Sequence, residues 1–357
     1  TAKITNNLSN RNLIINGAFQ IAQRATTNNT TGAQSTYHTL DRWMTQIQAG
    51  TITESQQTLT SSDTGPWEKG FRNYMRLLNQ SGVGAGVAQY VQMDQFVEAQ
   101  DLANSGWDYT STSSYITLSF WVRASIAQSY VAVIVSQDGT QRHYPFEIKD
   151  SGGSTLSANT WTKISKTIPG NSGITVNNDN GKGLAVSFIP YYGTNYTSNS
   201  GSFNAWNTTG NGLNRWPDMT TTWATTANAT FDVTGVQLEV GDVATEFEHR
   251  SYGYELERCK RYYIQFGGST DETNRILFEG YTKSTSYVIN THLSYSMRAA
   301  PTVTYTSGWN ENNFGSISFN YRDTNQCAVR LIASANDTCC FTHTDADSYL
   351  KLDAEFS

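Results

Sequence analysis

From Phe231 to Val240 the chain reads Phe-Asp-Val-Thr-Gly-Val-Gln-Leu-Glu-Val, an apolar period of two that slips by one residue at Gly235. Phe231 and Val233 set one phase; Val236, Leu238 and Val240 set the other. A glycine at such a slip predicts a β-bulge that bends a core strand. Downstream, Leu256, Cys259, Tyr263 and Phe266 are spaced by three and four, while Glu257 and Arg261 stand four apart on the other side. That spacing predicts one short helix with a single apolar stripe, ended by Gly267-Gly268. Strand patterning restarts after Gly267, so the chain is expected to hold two domains joined by a helix over 248–266.

Charged residues make up only 15% of the 357, whereas aromatics reach 12%, with 20 Tyr and 9 Trp. The charged and Ala/Leu-rich runs of long helices are missing, and Thr, Tyr, Val and Gly suit short strands and turns, so the class is mainly β. The net charge is −6 and no basic run occurs, which argues against a nucleic-acid partner. No apolar stretch approaches the ~18 residues of a membrane span, and the opening Thr1 to Asn7 lacks the apolar core of a signal peptide. A soluble protein not exported by that route is expected. Cys259, Cys327, Cys339 and Cys340 match no zinc spacing, and a vicinal pair bridges itself poorly. They read as reduced structural thiols, as assembly in a cytoplasm would leave them.

Along the chain, Asn12 to Phe19 reads as a first strand with Gly17 at a close-packed point, and Thr26 to Thr36 as a polar loop. Trp43, Thr45 and Ile47 share a face, and 73–79 and 87–96 are further strand candidates. In Tyr115 to Arg123, Ile116, Leu118, Phe120 and Val122 fall on one face, with Thr117, Ser119, Trp121 and Arg123 on the other. Val131 to Val135 suits a fully buried strand, and 161–170 and 184–192 supply two more. From Gly193 to Asn228 runs a long irregular stretch with Tyr196, Phe203, Trp206, Trp216 and Trp223 among Asn, Thr, Ser and Gly. Loops of that length in compact domains usually bind something, or else their rings fold back and plug the fold. Beyond the helix, short strands are expected around 276–278, 287–289, 301–305, 317–321, 328–332 and 350–356, the last with one wet face.

Val-Thr-Gly-Val-Gln-Leu-Glu-Val-Gly-Asp (233–242) followed by Phe-Glu-His-Arg-Ser-Tyr-Gly-Tyr-Glu-Leu-Glu-Arg-Cys-Lys-Arg-Tyr-Tyr (247–263) resembles the end of the jelly-roll domain in tail-fibre proteins of marine tailed bacteriophages. Asn12 to Phe19, Leu40-Asp41-Arg42-Trp43, Ala88 to Gln92, Trp161 to Gly170, Met297 to Thr302 and Asp353-Ala354-Glu355 extend the resemblance patchily over nearly the whole chain. It implies a carbohydrate-binding-module-like jelly-roll β-sandwich over 12–247, the connector helix over 248–266 and a β-rich C-terminal knob over 267–357. It further implies a virion surface protein with other virion proteins as partners, built as a homotrimer, that adsorbs to a host cell-surface glycan. Many carbohydrate-binding relatives carry an acidic residue after the first-strand Phe and a calcium ion nearby; here the position is Gln20, so no metal site and no cofactor is carried over. Only about a dozen residues precede the first expected strand, too few for a shaft or anchor domain. A head-fibre or capsid or tail decoration protein is therefore the alternative.

No Gly-x-Ser-x-Gly, His-Glu-x-x-His, P-loop or dinucleotide fingerprint occurs, and the five histidines have no ligand spacing. Asp41-Arg42 and His249 read as charged connectors. A glycan depolymerase needs two facing carboxylates; Asp41, Glu147 or Glu239 could meet in space, yet nothing in the sequence pairs them, and no catalytic residue is expected. A glycan binder needs aromatic platforms flanked by short amides and hydroxyls. Tyr196, Trp206, Trp216 and Trp223 are the expected ligand-binding residues, with Trp121 and Arg123 on the second face of their strand. Leu256, Cys259, Tyr263 and Phe266 are the expected trimer interface. The acidic balance argues for stacking and neutral hydrogen bonds, with little dependence on salt.

Overall fold

A computed structural model describes residues 10–197, 201–208, 216–268, 277–282, 288–306, 309–336, 338–343 and 348–356. It is mainly β and divides into two compact units, Thr1–Glu255 with Phe356–Ser357, and Leu256–Glu355. The first unit contains, in chain order, β1 (Thr27–Thr31), β2 (Gln34–Thr36), β3 (Met44–Ile47), β4 (Thr51–Thr58), β5 (Asn73–Asn79), β6 (Tyr90–Glu98), helix α1 (Ala99–Ala103), β7 (Tyr115–Ala124), β8 (Tyr130–Ser136), β9 (Arg142–Ile148), β10 (Thr162–Pro169), β11 (Lys182–Tyr192), β12 (Asn207–Thr208), helix α2 (Thr222–Thr225) and β13 (Ala229–Val240).

These strands form two antiparallel sheets, ordered β1-β4-β5-β13-β7-β10 and β12-β9-β8-β11-β6-β3-β2. Successive strands β5, β6, β7 and β8 alternate between the sheets, which makes the unit a jelly-roll sandwich. Its core lies between the inner faces: Ile116, Leu118, Phe120 and Val122 of β7 meet Val91, Met93 and Val97 of β6 and Leu184, Val186 and Phe188 of β11. Each such side chain contributes about 1.5–3 kcal/mol on burial, so this seam holds the sheets together.

The slip in β13 is a bulge. Thr234 lies opposite Trp121 and Gln237 opposite Ser119, so one extra residue is accommodated, and Gly235 takes φ +64°. The extra residue returns Val236 and Leu238 to the core face that Phe231 and Val233 already occupy. A Cβ at position 235 would stand 2.6 Å from the Phe71 ring.

Two local expectations are corrected. Asn12 to Phe19 is not a strand: Asn16 and Phe19 take φ of 58° and 54°. The segment follows β13 through Leu13 N to Leu238 O (2.9 Å) and Val236 N to Gly17 O (2.9 Å). Asn12 and Asn16 replace ladder partners with their own side chains; Asn12 Oδ1 accepts from Leu238 N, and Asn16 Oδ1 accepts from Ile21 N. The apolar residues that suggested a strand are there because Ile14 and Phe19 reach the core. Conversely, the supposed loop 26–36 contains two strands. β1 pairs with β4 and β2 with β3, each at the edge of its sheet, and an edge strand with one wet face can be built from Thr, Asn and Gln.

Helix α3 is Tyr252–Lys260, and it is followed by β14 (Tyr263–Gly267). The helix is thus shorter than the 248–266 expected, and the proposed stripe does not exist: Leu256 and Cys259 are helical, whereas Tyr263 and Phe266 are on a strand. Residues three apart on a strand point to opposite faces, and Tyr263 is buried while Phe266 is half-buried. Pairing with the last strand of the chain outweighs the helical spacing.

The second unit continues with β15 (Leu277–Thr282), β16 (Val288–Ser294), β17 (Thr302–Tyr305), β18 (Asn310–Asn312), β19 (Phe314–Asn320), β20 (Gln326–Ala333), β21 (Thr338–His343) and β22 (Tyr349–Asp353). They form three antiparallel sheets of three strands, β14-β22-β17, β15-β21-β18 and β16-β20-β19. In β22, Leu350 and Leu352 are buried while Tyr349, Lys351 and Asp353 alternate with them, half-buried. Cys259 and Cys327 are buried; the side chains of Cys339 and Cys340 lie outside the described residues.

Candidate functional site

The outer face of the seven-stranded sheet is polar and aromatic where β3, β6 and β11 adjoin. Alternation in β6 sends Val91 and Met93 inward, which leaves Tyr90, Gln92 and Asp94 pointing out. Across the ladder, Gln46 of β3 is opposite Gln92, Met44 is opposite Asp94, and Ser187 of β11 is opposite Asp94 from the other side. Tyr192 reaches this face because β11 bulges: Phe188 pairs with Met93 but Tyr191 with Val91, so Ile189-Pro190 hold one extra residue. Without that residue Tyr192 would share the inward phase of Phe188; with it, Tyr191 takes the core position and Tyr192 turns outward. Proline, which cannot donate a ladder hydrogen bond, fits the bulge.

Asp94 is the hub of this patch. Its Oδ2 accepts from Gln46 Nε2 at 2.7 Å and from Gln92 Nε2 at 2.6 Å. The hydroxyl of Tyr192 donates to Gln92 Oε1, tying ring, amide and carboxylate into one chain. Burial pushes the Asp94 carboxyl above the ordinary range, against the pull of the Ser187 hydroxyl, the two amides and the Lys182 charge. Its Oδ1 has no well-formed hydrogen bond among the described residues.

Three tyrosines border the hub. Tyr90 lies 5.6 Å from Tyr192 and 5.2 Å from Tyr196, and Tyr192 and Tyr196 are 5.4 Å apart. Trp216 stacks on Tyr192 at 5.2 Å and 26°. The turn carrying Tyr196 is fixed by backbone bonds, Gly193 N to Gln89 O and Asn195 N to Val87 O, both 2.8 Å. Thr197 Oγ1 donates to Asp218 Oδ1 at 2.6 Å. Gln46, Tyr90, Gln92 and Tyr196 are half-buried, so the patch offers ring edges and amides to an incoming ligand, with the 1%-exposed Asp94 carboxyl beneath them holding the amides in place.

Of the expected platform residues, Tyr196 alone presents an accessible ring on this patch. Trp216 is beside it but 1% exposed, a support for Tyr192 and not a platform. Trp223 is fully buried in the sandwich core, its backbone N–H bonded to Gln128. Trp206 is half-buried against Tyr144 at 5.4 Å with Nε1 donating to Pro169 O at 2.7 Å, so it closes the sandwich between β9 and β10. Trp216 and Trp223 are corrected from ligand platforms to packing groups, while Trp206, half-buried like Tyr196, lies away from this patch.

Trp121 and Arg123 are likewise corrected. They lie on the outer face of the other sheet, under the segment 60–70, where Gly65 sits against the Trp121 ring. Arg123 is bound to Asp63 at 2.7 Å and to Asp232 at 2.9 Å, with its guanidinium 4.5 Å from the Trp161 ring centre. The site residues not anticipated are Gln46, Tyr90, Gln92, Asp94 and Tyr192. An acid and a glutamine at alternate positions of a strand whose other face is Val and Met were the available signal.

No protein-family model and no curated protein matches the chain. Among solved structures, the enzymatically active domain of tailspike protein 4 of bacteriophage CBA120 aligns at 11% identity and TM-score 0.31, over 65% of this chain and 22% of that one. A putative sugar binding protein from Bacteroides thetaiotaomicron aligns at 14% identity and TM-score 0.31, over 64% of this chain and all of that one. A family 4 carbohydrate-binding module aligns at 10% identity and TM-score 0.30, over 63% of this chain and 98% of that one. The chain thus spans about a fifth of the length of the tailspike it matches and nearly all of the two smaller proteins.

Proposed function

We propose that this chain is a non-enzymatic protein of a bacteriophage virion surface that adsorbs to a host cell-surface glycan through the outer face of the seven-stranded sheet. The carrying observation is the Asp94 hub with Gln46, Gln92 and the tyrosines 90, 192 and 196. Pyranose rings expose C–H faces and hydroxyls; aromatic rings meet the former, and the half-buried amides, held in place by the buried carboxyl, meet the latter. Tyrosine and short polar groups already held by hydrogen bonds lose little freedom on binding. The phage setting, the partnership with other virion proteins and the homotrimer rest on the resemblance of 233–263 and the segments around it. The trimer no longer has a helix stripe to support it.

The test is binding of the purified chain to an array of bacterial surface glycans, at two salt concentrations, beside the Tyr196→Ala and Gln46→Ala variants. Each variant is checked for folding by circular dichroism. Loss of roughly 1–2 kcal/mol per stacked ring is expected, with little effect of salt. Unchanged binding by both folded variants would sink the reading. Electron microscopy of antibody-labelled virions distinguishes a fibre tip from the decoration or head-fibre alternative by the position of the label.

A further inference from the structure

The second unit carries an open groove of about 430 Å³, lined by Pro301, Thr302, Phe319, Asn320, Tyr321 and Arg322. One wall is rigid. Phe319 lies 5.2 Å from Tyr305 and 6.2 Å from Phe278, and the Tyr305 hydroxyl donates to Ile317 O at 3.2 Å. The opposite lip is the connection from β19 to β20. Asp323 closes it, accepting from the amides of Asn325 (2.7 Å) and Gln326 (2.9 Å). Those bonds hold its carboxyl below the ordinary range, so the Asp323 charge is engaged within the turn.

Tyr321 and Arg322 have no such engagement. Tyr321 is 89% exposed with φ +49°, a left-handed conformation unfavourable for a bulky side chain and natural for Gly or Asn. Its ring stacks on no other ring among the described residues, and the exposed guanidinium of Arg322 makes no ion pair or hydrogen bond among them, although its charge reaches the Tyr295 hydroxyl and the Cys327 thiol. A large, almost fully exposed ring at a strained position is a cost to the fold that a smaller residue would avoid. A flat ring, an exposed planar cation, the Asn320 amide and the Thr302 hydroxyl around an open groove define one kind of ligand.

We propose that this groove binds a carboxylated pyranose, a uronic acid unit of an anionic polysaccharide, with Tyr321 stacked on the sugar ring and Arg322 paired to the carboxylate. This site is separate in residues and chemistry from the Asp94 patch. Its binding weakens with salt, where that of the patch does not.

The experiment is calorimetric titration of the full chain with trigalacturonic acid, with its neutral methyl ester, and with inorganic phosphate. Trigalacturonic acid is expected to bind about tenfold or more tightly than the ester. Arg322→Gln is expected to abolish that difference. Tyr321→Gly relieves the backbone while removing the ring; it should melt at the same or a higher temperature and lose binding of both saccharides. Tyr196→Ala should bind trigalacturonic acid as the parent does. The proposal is overturned if acid and ester bind alike or not at all, if Tyr321→Gly binds unchanged, or if phosphate binds as well as the acid, which would mark a bare anion contact. It is overturned also if Tyr196→Ala, and not Tyr321→Gly, loses binding, since the saccharide then sits on the jelly roll.

Discussion

The amide of Val236 donates to the carbonyl of Gly17 at 2.9 Å, and a Cβ on Gly17 would overlap the carbonyl oxygen of Val236. A methyl here meets backbone on the bulged strand, which cannot rotate away as a side chain would. Gly17→Ala should therefore destabilise the jelly roll by about 1–3 kcal/mol. Urea melts of the two proteins would measure it, and an unchanged midpoint would refute the close approach.

Glu54 is fully buried, with the Thr39 hydroxyl donating to it. Burial pushes its carboxyl from 4.5 up to about 7, against hydrogen bonds from the Thr45 side chain and the Thr39 backbone and the Arg24 charge. The folded state thus holds a proton that the unfolded state releases, so stability falls as pH rises from about 4.5 to 7 and is level above that, by roughly 3 kcal/mol in all. His38, pushed down by burial and Arg24, titrates in the opposite sense, so the readout is the difference between parent and Glu54→Gln. That difference should shift toward the variant as pH rises from about 4.5 to 7 and stay level from 7 to 8. A pH-independent difference would mean the carboxyl is ionised throughout.

Asp232, wholly buried, holds Arg76 at 2.8 Å and Arg123 at 2.9 Å. Asp232→Ala leaves two guanidiniums facing each other without the anion between them, and should cost about 3 kcal/mol. Thermal melts would show it. Arg123→Met, which keeps the stem over the Trp161 ring, should cost less.

The tryptophans separate packing from binding. Trp223→Ala opens a hole in the core and should cost about 3–5 kcal/mol, and the half-buried Trp206 should cost less. Neither should alter glycan binding in the fraction that remains folded. Tyr196→Ala should show the reverse, near-parental melting with reduced binding. Equal effects of all three on binding would return the rings of 193–228 to a single site.

Much of the sandwich is legible in residues whose environment is decided by one strand. Ile116, Leu118, Phe120 and Val122 announce a core face, and all four are buried; Gly235 announces its bulge because the phase change is visible on either side of it. The second bulge, at Ile189-Pro190, is not legible, since Tyr191 and Tyr192 are the same residue type and either could face the core. That ambiguity hides the site, because the bulge is what turns Tyr192 toward Asp94. Composition misleads for the tryptophans: a ring in a polar stretch looks exposed until the register of distant strands shows which side of the sandwich its segment closes. Spacing misleads at Tyr263 and Phe266, where a distant partner, β22, decides between strand and helix.

β13 lies between β5 and β7, with Asn79 opposite Ala229 and Ile116 opposite Val240. Both neighbours are made long before it, and until it arrives each presents an open edge of the kind that recruits strands from other chains. The sheet therefore cannot mature progressively from the amino end; its keystone is delivered last, from far along the chain. Such non-local closure makes for slow folding, and a polypeptide stalled before residue 229 would be a half-built sandwich prone to sticking to its siblings. High-yield production should accordingly favour slow synthesis at low temperature.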